Sequence, residues 1–73
     1  MAETKILSEL NATVWKIVVA PGDRVAEGET LILLESMKME IPVTAPSAGT
    51  VTAILVSEEQ TVVEGEPLAM LES

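Results

Sequence analysis

Apolar and polar residues alternate along this chain in short runs separated by turn-forming clusters, the period of two that marks β-strands. The pattern predicts strands over residues 4–10, 13–19, 30–36, 39–45, 50–56 and 67–72. Shorter extended pieces are expected at Val25 and Val62, following the turns Pro21-Gly22-Asp23 and Glu58-Glu59-Gln60. No window joins an N-cap, an apolar i, i+3, i+4 stripe and a C-terminal Gly, so no helix is predicted. Strict alternation fails at Val14, Ile17 and Val19 and again at Val51, Ile54 and Val56, which implies a β-bulge in each of those strands. The expected fold is all-β: a flattened barrel or sandwich of two antiparallel sheets, formed by one domain spanning residues 1–73.

Shifting the chain against itself so that Val14 falls on Val51 aligns residues 13–36 with 50–73 without a gap, and about half of the aligned positions are identical. Two copies are too few for a solenoid, so the repeat predicts two halves packed face to face with pseudo-twofold symmetry, each supplying half of one core. Gly28 and Gly65 recur where a turn calls for positive φ, which Gly adopts without steric cost. The second copy places Glu59 where the first has Gly22, and the first places Ala12 where the second has Gly49. Glu59 is therefore expected in a left-handed conformation. Trp15 falls outside the Val14, Ile17, Val19 set, so it either covers the barrel surface or contacts a partner, with packing the preferred reading.

Composition narrows the chemistry. A chain of 73 residues buries only about 60% of its unfolded surface, which leaves little room for a deep catalytic cleft. The chain contains no Cys and no His, so it lacks a thiol nucleophile, the usual base near neutral pH and the commonest metal ligands. Intrinsic catalysis and a metal site are not expected. A formal net charge of −8 argues against nucleic acid and anionic membrane surfaces, and the longest apolar runs fall far short of a membrane span. With no leader-like pattern at the start, the chain reads as cytoplasmic. The acidity suits either docking on basic protein faces or solubility alone.

Residues 30–45 contain no Gly, Asn or Asp, yet the stretch is too long for one strand, so a turn must lie inside it. Its centre, Glu35-Ser36-Met37-Lys38-Met39-Glu40, is nearly palindromic in polarity and points to Met37-Lys38 as the tip. Two-residue hairpin turns of type I′ need positive φ at both central positions and normally recruit Asn-Gly or Asp-Gly. Met and Lys are poor choices for such a turn, and local choices that oppose folding collect at functional sites. Lys38 also lies at the seam between the repeats. At a tip, Met37 and Met39 would flank it close to solvent, where folding gives two apolar side chains no reason to be and flexible thioethers suit recognition by a partner.

At these residues the chain resembles the biotinyl domains of biotin-dependent carboxylases, whose hallmark is a Met-Lys-Met triplet at a hairpin tip between two quasi-symmetric halves. The resemblance covers essentially the whole chain and matches the thumbless, single-domain carriers. It implies biotin attached covalently to Lys38, with Met37 and Met39 read by biotin protein ligase and Glu35 and Glu40 at acidic positions that accompany the triplet. Ser36 stands where family members usually carry Ala. The implied role is that of a non-catalytic biotin carboxyl carrier, moving a carboxyl group between a biotin carboxylase subunit and a carboxyltransferase subunit. Two other readings remain open. A lipoyl carrier shares the fold and the lysine position but usually shows Asp-Lys-Ala, and an unmodified lipoyl-like interaction module needs no tip lysine.

Overall fold

The alternating runs fold as eight strands in a computed structural model that describes residues 2–73. They are β1 (Glu3–Leu7), β2 (Ala12–Ile17), β3 (Arg24–Val25), β4 (Thr30–Ser36), β5 (Met39–Thr44), β6 (Gly49–Ile54), β7 (Thr61–Val62) and β8 (Pro67–Glu72). Two four-stranded antiparallel sheets result, ordered β1-β8-β6-β3 (sheet A) and β5-β4-β2-β7 (sheet B). Every regular element among the described residues is a strand. The register slips between Val14 and Lys16 in β2 and between Val51 and Ala53 in β6, so both bulges stand where alternation fails.

The halves are not stacked face to face as the repeat suggested. They interleave. Each half provides the two central strands of one sheet and the two edge strands of the other: β2 and β4 are central in sheet B, whereas β1 and β3 edge sheet A. The cause is a reciprocal exchange of backbone hydrogen bonds. The Gly22 amide donates to the Val51 carbonyl at 2.6 Å, and the Val51 amide donates to the Asp23 carbonyl at 2.8 Å. In the other half the Glu59 amide donates to the Val14 carbonyl at 2.7 Å, and the Val14 amide donates to the Gln60 carbonyl at 2.8 Å. Each turn is thereby held against the bulged strand of the opposite half, and the two-residue strands β3 and β7 follow it there.

Side chains set these turns. The Asp23 carboxylate accepts from the Ala20 amide at 2.9 Å, and the Gln60 side-chain carbonyl accepts from the Ser57 amide at 3.0 Å. Glu29 and Glu66 act likewise one turn later, accepting from the Ala26 and Val63 amides at 2.9 and 3.0 Å. Short polar side chains that bond their own backbone stabilise turns in this way. The repeated Glu-Gly-Glu segments are thus structural: the outer Glu closes the turn, and Gly28 and Gly65 both take φ of 85°.

The core between the sheets is aliphatic and follows the repeat, with Val14, Leu31 and Leu34 buried beside their counterparts Val51, Leu68 and Leu71. Ser8 is the one buried polar residue of the described chain, and its hydroxyl donates to the Leu10 carbonyl at 2.6 Å. β1 ends early, at Leu7 rather than at residue 10. After a register shift between Ile6 and Leu7, the backbone of Ser8 leaves β8 and exchanges hydrogen bonds with Gly65 and Glu66. Trp15 is only half covered by the barrel surface. It is the extra residue of the β2 bulge, lies outside the core cluster and is 47% exposed.

Glu59 has φ of 72°, as its alignment with Gly22 at 97° requires. An L-residue in this region is destabilised by about 1–2 kcal/mol. Glu59→Gly is expected to raise the melting temperature by a few degrees, measured by thermal denaturation. Gly49 is constrained differently: a Cβ there would lie 2.5 Å from the Glu72 carbonyl oxygen and 3.2 Å from Ser73 Cα. Both neighbours are backbone atoms of the adjoining strand end. Gly49→Ala is therefore expected to lower stability by about 1–3 kcal/mol in denaturant titration.

Candidate functional site

The hairpin β4–β5 is in register from Leu34 opposite Ile41, through Glu35 opposite Glu40, to Ser36 opposite Met39. Only Met37 and Lys38 remain to turn the chain, with φ of 52° and 65°. Positive φ at both central positions is the requirement of a type I′ turn, whose twist matches that of the flanking strands. Asn-Gly would satisfy it with less strain, so residue choice at the tip does not serve stability. Glu35 and Glu40 face each other across the strands, an opposition of like charges that also disfavours the hairpin.

All the residues singled out from the sequence come together here. Lys38, Glu35 and Glu40 are exposed, and Ser36 is partly buried. Met37 is 91% exposed and Met39 64%. Two thioether side chains in water on either side of an exposed amine form a small apolar surface around a single nucleophile. This is a projecting site, not an enclosing one. A spacious groove between the edge strands β1 and β5, with Leu7, Leu10 and Val43 on its walls, contains none of these residues. No group of three or more acidic side chains is placed to hold a metal ion among the described residues.

The pseudo-symmetry explains why the tip is unique. The strand pair in sheet A that corresponds to β4–β5 is β8–β1, where Glu72 faces Glu3. No turn joins that pair, because the two strands are the ends of the described chain: the Ser73 amide donates to the Ala2 carbonyl at 2.9 Å. The fold therefore has two equivalent hairpin positions and one hairpin loop. An exposed amine on this loop, held by six ladder pairs from Thr30–Thr44 to Ser36–Met39, can carry a tethered group without disturbing the core.

Comparison with known proteins agrees with this geometry. The biotin/lipoyl family model, described as "Biotin-requiring enzyme", matches residues 5–71. The biotinylated protein TB7.3 homolog of Mycobacterium leprae is 50% identical over 54 residues, covering 74% of this chain and 75% of that protein. The crystal structure of the urea carboxylase of Kluyveromyces lactis superposes with a TM-score of 0.92 at 33% identity, over 99% of this chain and 6% of that enzyme. The lipoyl domain of the 2-oxoglutarate dehydrogenase complex of Azotobacter vinelandii superposes with a TM-score of 0.74 at 30% identity, over 86% of this chain and 80% of that domain. Sheet order, tip geometry and these matches lead to one conclusion: the chain belongs to the biotin/lipoyl family, as its resemblance to biotinyl domains implied.

Proposed function

We propose that the chain is a biotin carboxyl carrier in which Lys38 is the site of biotin attachment, and that it serves a biotin-dependent carboxylase. The observation that carries this reading is the Met37-Lys38 turn: two residues strained into positive φ, with Met37 almost wholly in solvent. A group linked through the Lys38 amine fits such a tip, because neither sheet stands between the side chain and a partner. Met on both sides of the lysine favours biotin over lipoate. The relatives named for biotinylation and for a carboxylase support the same choice.

Each residue at the tip has a defined part. Attack by a lysine amine on an acyl group releases a proton, and this chain offers no His or Cys to take it. Deprotonation and acyl activation are therefore work for biotin protein ligase, and the carrier has only to present Nζ. Met37 and Met39 offer that enzyme an apolar contact surface, with Glu35 and Glu40 flanking it. Biotin, when attached, supplies a ureido nitrogen that bonds a carboxyl group. Formation of the amide removes the Lys38 charge and extends the side chain into an arm reaching roughly 12–14 Å from the backbone. Tethering keeps the reactive group at high effective concentration near the sites of the biotin carboxylase and the carboxyltransferase, provided the geometry can reach both. The carrier contributes delivery and the partners contribute the bond chemistry.

A lipoyl carrier is the second reading, favoured by the superposition on a lipoyl domain. Intact mass spectrometry separates the two. After incubation with biotin, ATP and biotin protein ligase, the wild-type chain is expected to gain one biotin less one water and Lys38→Arg to gain nothing. Gain on lipoate and its ligase alone would establish the lipoyl carrier, and gain on neither would leave an unmodified interaction module.

A further inference from the structure

We infer that Trp15, with Leu33 and Pro42 beside it, is the docking face on which the biotinylated carrier seats against the enzyme that carboxylates its biotin, an inference that rests on the carrier function proposed above. The bulge of β2 sets Trp15 and Lys16 together opposite Leu33, and Leu33 in turn pairs with Pro42 of β5. Three residues from three adjacent strands thus line one row of sheet B. Trp15 is 47% exposed, Pro42 is exposed and Leu33 is partly exposed. Single apolar side chains on a surface need no explanation, but a contiguous row containing the only aromatic residue of the chain does.

The repeat supplies an internal control. The same row in sheet A holds Thr52 at the β6 bulge, Met70 opposite it and Lys5 on the edge strand. Folding therefore needs neither an aromatic ring at the bulge nor a proline at the edge. The acidic row beyond is alike in both sheets, Glu35 facing Glu40 in one and Glu72 facing Glu3 in the other. What separates the two faces is Trp15 for Thr52, Lys16 for Ala53, Leu33 for Met70, Pro42 for Lys5 and Glu58 for Pro21. Glu58 reaches back to sheet B, accepting from the Ile17 amide at 3.2 Å. The chain has become more aromatic and more acidic on the face whose hairpin carries Lys38, and not on its twin.

Position and charge select the occupant. The row lies in the same β4–β5 hairpin as the tip, so an enzyme that receives the Lys38 arm meets it in the same approach. Carboxylation of biotin consumes ATP and bicarbonate, both anions, and an enzyme that gathers them presents cationic side chains around its site. Such a surface complements Glu35, Glu40 and Glu58 around an apolar centre, and a buried Trp is the residue type that most often anchors an interface.

The test uses the full chain, biotinylated on Lys38, as substrate for a biotin carboxylase with ATP and bicarbonate. Trp15→Thr installs the residue that the second repeat carries at the same bulge, so the fold is expected to persist. The KM for the carrier should rise about tenfold with kcat retained, and Trp15→Phe should recover most of the loss. Because Trp15 is the only tryptophan, a carrier labelled with fluorotryptophan gives a single fluorine resonance, which should shift on addition of the carboxylase. An unchanged KM together with an unshifted resonance overturns the docking face while leaving the carrier function standing. So does a defect confined to the ligase or to the carboxyltransferase, which assigns the face to another occupant. A wild-type chain that accepts no biotin overturns the carrier reading itself.

Discussion

Four backbone hydrogen bonds hold this molecule to its topology: Gly22 and Asp23 on the backbone of Val51, and Glu59 and Gln60 on the backbone of Val14. Each bulged strand takes up the turn of the opposite repeat and cannot close a sheet with its own half alone. β4 covers only one side of β2 and β8 only one side of β6, and the amides and carbonyls on the other side must find partners. Here the partners are the turns themselves. No buried side-chain polar atom is left without a hydrogen bond among the described residues. A small aliphatic core with no disulfide is thus closed on both sides by the chain that forms it.

Strain is distributed unequally over this frame. Three non-glycine residues have positive φ: Met37, Lys38 and Glu59. Glu59 is exposed, and its strain follows from the repeat, since the amide at that position must reach Val14 as Gly22 reaches Val51. Met37 and Lys38 have no such obligation. Their conformation is imposed by the two-residue loop, and their identity by what the loop presents. The same physical sign, positive φ on an L-residue, has a structural cause at Glu59 and, under the proposed function, a functional one at the tip. The contacts of each turn tell them apart.

A projecting amine on a rigid hairpin is the inverse of an active site. It stands in the open beside a shallow depression shared with Asn11, Thr13 and Thr61, and no cluster of metal ligands surrounds it among the described residues. Such a shape suits a group that must enter the clefts of other proteins. The long ladder beneath the tip limits motion of the hairpin, so under the proposed function the mobility for transfer falls to the arm and to the domain as a body. Trp15 against Thr52 is a difference between the two sheets that the frame does not require, since the second repeat folds without it.

Strand identity, both bulges, the left-handed positions at Gly28, Gly65 and Glu59, and the hairpin tip at Met37-Lys38 were all legible in the sequence. Each of these depends on local periodicity or on comparison of one repeat with the other, and backbone geometry over a few residues obeys local rules. The interleaving of the halves was not legible, because antiparallel pairing between β1 and β8 or β2 and β7 joins residues distant in the chain, and alternation says which face is apolar without saying which strand lies alongside. The same limit explains why β1 ends at Leu7: Ser8 leaves the ladder for a tertiary bond to Glu66. It also explains why the close approach of Gly49 to the Glu72 carbonyl was hidden, since that pairing too joins distant residues. The sequence left Trp15 open between packing and partner contact for a similar reason. Sequence shows that a residue is apolar, and only the register of the bulge decides that this one faces water.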